Sequence, residues 1–290
     1  MRTLSIQIPP EYEGKTVKIV LRRHLLMAES LISRIKLRER GICLNGERVK
    51  TIAMVHAGDT LSLEIGDRPG GRKVIPGAPK PDIVYEDEDL IVINKPAGLA
   101  VHGSGETGDL NVVTMLETYL NGDAVHLITR LDRGTSGLMA VAKNAYMTDR
   151  LRHIMHTPEF ERVYLAWAVG TPNPPQGVIT LPIAPDEDGY KRVVTPDGVY
   201  AETHYQTLET VGDLSLVRLR LVTGRTHQIR VHMAAIGCPL LGDWMYGDES
   251  PRIGRPALHS AFLTLHNPIS GEWIKLSAPM PEDMNCLHNL

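Results

Sequence analysis

Residues 66–82, GDRPGGRKVIPGAPKPD, hold four glycines and four prolines in seventeen positions. Proline fixes φ and removes a backbone donor, and glycine is costly to order, so such a run builds neither a helix nor an inner strand. It reads as a semi-extended linker that parts the 290-residue chain into units at 1–65 and 83–290. Charge parts at nearly the same place. Residues 1–80 carry 15 Lys+Arg against 8 Asp+Glu, and residues 81–290 carry 16 against 26, giving +7 and −10. A compact basic module on an acidic body suggests that one unit grips a polyanion while the other is more selective. The plainer alternative is a solvated basic face.

In the first unit, helical patterns cover 16–26 and 28–40, with Gly41 placed as a left-handed helix cap. Asn45-Gly46 then suits a type I′ hairpin turn, and DTLSLEI reads as a strand. The second helix exposes Arg34, Lys36, Arg38 and Arg40, of which Arg34 and Arg38 are the candidate phosphate contacts. In the second unit β-type runs dominate, at 83–85, 90–94, 126–131, 137–142, 162–169, 199–208, 214–222, 257–265 and 272–276. Helical patterns appear at 110–120, 146–155 and 225–236. This order predicts an α+β domain with a largely antiparallel, mixed sheet flanked by helices, in place of a doubly wound βαβ fold.

Four stretches carry polar groups that chemistry can use. In HLITRLDRGTSGL, residues 126–138, an apolar run delivers Asp132 to a tight loop between two rigid elements, a common place for a catalytic carboxylate; capping of its own turn is the alternative. In TGRTHQIRVH, residues 223–232, Thr226 is a candidate N-cap and Ile229, Met233 and Ile236 form an apolar stripe. That stripe sets Arg230 beside the core, where it needs a carboxylate partner, unless Arg225 and Arg230 form a phosphate clamp. Arg162 and Tyr164 share one face of a strand, and Tyr164 either stacks on a base or sits in the core with its hydroxyl at the edge. Lys95, at the end of a strand entering the Pro96–Gly98 turn, either meets phosphate or is solvated.

Cys43, Cys238 and Cys286 are too few and scattered for a disulfide framework or thiolate site, and the twelve histidines include no His-Glu-x-x-His pair. No Walker-type glycine loop is present. The expectation is an enzyme without metal or cofactor. The first residues lack the apolar core of a signal peptide, and no run reaches 18 apolar residues. A cytoplasmic, membrane-free protein is therefore expected.

Together the motifs resemble the RluA family of pseudouridine synthases. The resemblance rests on Arg130-Leu131-Asp132, Thr135-Ser136-Gly137-Leu138 and Ala142-Lys143, on Gly224 to His232 trailed by Gly242-Asp243, and on Asn94 to Leu99, Arg162-Val-Tyr164 and Leu258-His259. Many members have His before Arg-Leu-Asp where this chain has Thr129, which implies altered substrate context with the chemistry kept. The basic unit near 14–65 resembles a small RNA-binding module named after a ribosomal protein. The resemblance implies a monomeric enzyme acting on ribosomal RNA or tRNA. It implies that Asp132 is the essential carboxylate, Tyr164 stacks on the target base, Arg230 pairs with Asp132, Arg130 fills the gap left by a flipped uridine and Leu258 walls the pocket. Lys95, Arg162, Arg225, His227 and Gln228 are then further substrate contacts, beside Arg34 and Arg38 in the module. Whether Asp132 attacks ribose, attacks base or removes a ribose proton is open. A non-catalytic RNA-binding protein has no need of a buried acid that repels phosphate, and a base deaminase requires zinc ligands that this sequence lacks.

Overall fold

The computed structural model describes residues 2–67, 69–103 and 110–289. Residues 1, 68, 104–109 and 290, which fall in the expected basic unit, linker and larger unit, lie outside the described residues. The small unit has strands β1 (Thr3–Gln7), β2 (Ile42–Leu44), β3 (Glu47–Arg48) and β4 (Thr60–Glu64) in the order β1-β4-β2-β3. Two short helices cover it, α1 (Val17–Ile19), which continues as a wider turn over Val20–His24, and α2 (Glu29–Ile35). Val20, Leu21, Leu31, Ile32 and Ile35 bury their side chains against Ile42, Leu61 and Leu63 of the sheet.

Helix α2 ends five residues before the pattern suggested. Gly41 is not its left-handed cap: the chain turns back so tightly that a Cβ on Gly41 would lie 1.7 Å from the Ile35 carbonyl oxygen. Glycine is required there for close approach. The described part of 66–82 forms no helix or strand. It is strapped to the end of a later helix by Ile75 N donating to Thr118 Oγ1 (3.0 Å) and Arg72 N donating to the Gly122 carbonyl (3.2 Å).

In the larger unit lie β5 (Ile83–Glu86), β6 (Leu90–Lys95), α3 (Val112–Tyr119), β7 (His126–Leu127), β8 (Ser136–Ala142), α4 (Ala145–Ile154) and β9 (Phe160–Val169). Next come β10 (Gln176–Ile179), β11 (Ile183–Pro185), β12 (Arg192–Val194), β13 (Thr203–Val211), β14 (Leu214–Leu221) and α5 (Gln228–Ala235). The chain closes with β15 (Leu258–His266), β16 (Trp273–Ser277) and α6 (Glu282–Asn285). The sheet runs β10-β13-β14-β9-β15-β8-β6-β5, with β16 on β15 and β7 on β8; β11 and β12 form a separate hairpin. Its pairs are antiparallel except β15 with β8.

Both faces of this sheet are covered, which explains the unbroken apolar runs of β6 and β8. Ile91, Ile93, Met139 and Val141 face Val112, Met115 and Leu116 of α3 and Ile229 and Met233 of α5. The alternate residues Leu90, Val92, Leu138 and Ala140 face Met147 and Leu151 of α4. The parallel join of β15 to β8 brings Gly137 so near β15 that a Cβ there would lie 2.3 Å from the Ser260 carbonyl oxygen, and its φ is +106°. Gly137 thus fixes where the loop carrying Asp132 returns to the sheet.

Two buried histidines lock other joints. His232 Nε2 donates to the Leu181 carbonyl and its Nδ1 pairs with Thr203 Oγ1, each at 2.9 Å; His259 pairs through Nε2 with the Ala278 carbonyl and through Nδ1 with Ser136 Oγ. Burial is the main cause that lowers both imidazoles below 6.5, against a weaker upward pull from those carbonyls. As pH falls below about 6.5 the unfolded chain takes up protons that the folded one resists, so the two groups subtract stability in acid. The urea midpoint of His232→Gln should therefore fall less steeply from pH 7.5 to 5.5 than that of the parent; parallel curves would contradict the buried neutral state.

Candidate active site

Asp132 sits in the loop between β7 and β8, its side chain 28% exposed. The loop is tied down from several sides. Thr135 N donates to the Asp132 carbonyl (3.0 Å), Gly98 N to the Arg133 carbonyl (2.8 Å), and Ala140 N to the buried Thr129 Oγ1 (3.2 Å). Thr129 thus serves as an acceptor that extends the pairing of β8. The expected strand at 126–131 is cut to His126–Leu127 because the chain then leaves the sheet to build this loop.

Arg230 projects from α5 toward Asp132, with Nη1 3.4 Å from Oδ2. Its stronger partner is Asp243. Nε donates to Asp243 Oδ2 and Nη2 to Oδ1, both at 2.7 Å, and the Asp243 side chain has no exposure at all. Burial disfavours the guanidinium charge, yet the Asp243 carboxylate outweighs it, and Arg230 holds its proton more tightly than a free arginine. A two-point fork of this kind fixes the guanidinium plane and leaves Nη1 pointing at Asp132. Tyr246 covers the same guanidinium, its ring centroid 5.0 Å away.

His227 stands at the N-terminal end of α5 with φ +56°, so the cap is His227 and not Thr226. Its Nδ1 lies 2.8 Å from Tyr246 Oη, which accepts the Arg192 N–H at 2.8 Å. The other ring nitrogen, Nε2, lies 3.9 Å from Asp132 Oδ2. Burial is the main cause that lowers His227, with Asp132 pulling upward and Arg230 downward, and favours the neutral imidazole.

Tyr164 on β9 and Leu258 on β15 are buried, and with Asp132, Thr135, Leu221, Arg225 and Arg130 they line a small pocket. A cleft of about 530 Å³ opens from it along Arg130, Arg152 and Arg162. Another, of about 690 Å³, opens on the far side of Asp132 beside Tyr190 and Trp244. Burial raises the Tyr164 phenol. Arg130 is exposed at the mouth, while Arg225 is exposed and anchored through Nε to the Tyr200 carbonyl (3.2 Å).

The structure therefore brings together Asp132, Tyr164, Arg230, Leu258, Arg130, Arg162, Arg225 and His227. Gln228 lines the same small pocket, whereas Lys95, Arg34 and Arg38 are not among the residues that line it. Lys95 is fully buried, and its Nζ donates to the carbonyls of Pro96 (2.8 Å), Leu99 (2.8 Å) and Arg133 (3.2 Å), so it binds two loops together and does not meet phosphate. Burial is the main cause that lowers it to about 8, against the attraction of Asp132. Gln228 is buried too: it accepts from Thr223 Oγ1 and Arg225 N and donates to the Glu202 carbonyl and Thr203 Oγ1, joining the start of α5 to β13. Arg38 Nη1 donates to the Glu64 and Gly66 carbonyls, and exposed Arg34 stands 3.9 Å from Asp67. Asp243 and Tyr246 are the residues that sequence reasoning missed. The need of a buried arginine for a carboxylate was the signal for Asp243; nothing local marked Tyr246.

No group of three or more His, Cys, Asp or Glu side chains is placed to hold a metal ion among the described residues. No helix among them is long and apolar enough to cross a membrane.

The chain is similar to known proteins over most of its length. Residues 89–235 match the family model described as RNA pseudouridylate synthase. An uncharacterized RNA pseudouridine synthase of Bacillus subtilis is 36% identical over 267 residues, covering 90% of this chain and 94% of that protein. Ribosomal large subunit pseudouridine synthase D of Haemophilus ducreyi is 35% identical, covering 96% of this chain and 86% of its own length. The solved structure of human RNA pseudouridylate synthase domain containing 4 superposes with a TM-score of 0.59 at 29% identity, covering 71% of this chain and 91% of that one.

Replacing Lys95 by Met keeps most of the buried stem but leaves three carbonyls without their donor. Denaturant unfolding should show a loss of about 1–3 kcal/mol. Unchanged stability would mean that Lys95 does not hold the loops.

Proposed function

This chain belongs to the RluA family of RNA pseudouridine synthases, isomerases of uridine in RNA, and we propose that Asp132 carries out the isomerisation on a uridine flipped into the pocket beside it. One observation supports this reading above the others: a carboxylate aimed by an arginine stands at a pocket walled by Tyr164 and Leu258. Tyr164 offers a flat face to the uracil and Leu258 an apolar wall. Arg130, exposed at the mouth, is free to enter the stack that the uridine leaves. Extrusion costs about a few kcal/mol, which the plug and phosphate contacts offset.

The reaction breaks the bond from ribose C1′ to ring N1, turns the uracil while it is held, and joins C1′ to ring C5. The proton on C5 leaves and N1 gains one, so atoms and electrons balance without a cofactor. Asp132 acts by attacking ribose or base or by taking a ribose proton, and each route needs its carboxylate where Arg230 holds it. His227 Nε2 lies 3.9 Å from the same oxygen.

For the substrate we propose ribosomal RNA in the cytoplasm, as the names of the Haemophilus and similar relatives suggest, with tRNA as the other RNA class to be tested. For the enzyme's assembly we propose a monomer. The N-terminal unit and linker, at 1–65 and 66–82, serve as the RNA grip for the catalytic domain at 83–290.

Asp132→Asn keeps the shape and removes the charge. Its rate on a uridine-containing ribosomal RNA fragment should fall about a thousandfold or more, with affinity for that RNA kept within a few-fold. Chemical mapping of pseudouridine in cells carrying only Asp132→Asn should show a site lost from ribosomal RNA. Loss confined to tRNA would replace the substrate, and normal turnover by the variant would remove Asp132 from the chemistry.

A further inference from the structure

Five arginines, 130, 133, 152, 162 and 225, line the cleft on the Tyr164 side of Asp132, and among the described residues Asp132 is its one carboxylate. Four of them behave as expected for a basic surface. Arg162 does not. It is 94% buried, being only 6% exposed, and neither its Nε nor its Nη2 has a hydrogen-bond partner among the described residues. Its guanidinium carbon lies 5.8 Å from the centroid of the Phe160 ring. Gly224 makes room for it, since a Cβ there would lie 2.9 Å from Arg162 Nη1.

A buried cation is normally retained with a carboxylate beside it, because removing a charge from water is costly and neighbouring like charges add to the cost. Here the body of the protein is acidic, carrying 26 Asp+Glu against 16 Lys+Arg in residues 81–290, yet among the described residues no carboxylate pairs with Arg162 Nε or Nη2. Arg162 lines the cleft while its Nε and Nη2 are closed off from solvent without a partner among the described residues, a condition that an anion seated against the guanidinium would relieve. The planar fork matches a phosphate or carboxylate through two oxygens at once. Position selects between them. Arg162 and Tyr164 lie two residues apart on one face of β9, roughly 6.6 Å along the strand. A nucleotide whose base reaches Tyr164 therefore runs its sugar and phosphate past Arg162.

We propose that Arg162 binds a single backbone phosphate of the substrate RNA, adjoining the nucleotide whose base enters the Tyr164 pocket, and that its buried charge is completed only when RNA is bound. The proposal rests on the isomerase reading for the identity of the polyanion, but not for the anion site itself. Arg130, Arg152 and Arg225, nearer to solvent, supply attraction without a fixed position, whereas Arg162 sets the register of the backbone.

The test uses the full-length protein and a synthetic RNA stem-loop in which the phosphates around the target uridine are replaced one at a time by methylphosphonate. Arg162→Met keeps the length and apolar stem. Its Kd for the unmodified stem-loop should rise tenfold or more, its salt slope should fall by about one, and its thermal midpoint should stay the same or rise, because an unpaired buried cation has gone. One methylphosphonate position should weaken the parent by a similar factor and leave Arg162→Met no weaker than before, and Arg162→Lys should recover part of the affinity. The proposal is overturned if no position behaves in this way, or if Arg162→Met binds RNA with unchanged affinity and slope while losing thermal stability, as a structural arginine would. Excess inorganic phosphate that competes equally with parent binding to every methylphosphonate RNA would also overturn it, since the site would then read free phosphate and not one RNA position. A protein that binds the stem-loop through Arg162 but leaves its uridine unconverted would support the phosphate site and count against the isomerase reading.

Discussion

The fully buried ion pair between Arg230 and Asp243 is the constraint on which the site depends. Two donor–acceptor contacts of 2.7 Å fix the guanidinium plane, so the remaining Nη1 can approach only Asp132. A single flexible arginine shared with solvent would stabilise the same carboxylate without aiming it. Buried pairs of this kind add little net stability compared with apolar packing, but they are costly to break, which makes the geometry all-or-none. Tyr246 extends the same frame, covering Arg230 with its ring and pairing with His227 Nδ1 through its hydroxyl.

The sheet supplies the second requirement, a rigid frame at the correct distances. Asp132, Tyr164 and Leu258 arrive from the loop before β8, from β9 and from the start of β15, strands that lie side by side although β8 and β15 are separated by more than a hundred residues in sequence. Covering both faces of that sheet prevents it from flexing. Lys95 closes the frame from below, where three carbonyls of two loops converge on one ammonium group.

Much of this was legible in the residue pattern. The apolar runs of β6, β8, β9, β14 and β15 marked inner strands, and the periodicity at Ile229 and Met233 placed α5 on the sheet. The short strands β1, β10, β11 and β12 were not seen, since their alternation is brief and partly exposed. The polar residues divided along a physical line. Asp132 and Arg230 were readable because a buried charge demands a partner, but the demand does not name the partner, and Asp243 was passed over. For Lys95, read as meeting phosphate or solvent, and Gln228, expected as a substrate contact, the sequence context gives no sign that three carbonyls or a buried joint await them. Burial of a polar side chain is decided by distant packing, and a local window does not contain it.

The central claim is that Asp243 holds Arg230 and that Arg230, so held, aims Asp132. The most direct measurement is a pair of double-mutant cycles in unfolding free energy, one joining Arg230→Met with Asp243→Asn and the other joining Arg230→Met with Asp132→Asn. The first pair should show singles costing about 3–5 kcal/mol each and a double costing far less than their sum, while the second shows a clearly smaller coupling. Additive losses in the first cycle, or a larger coupling in the second, would contradict the account.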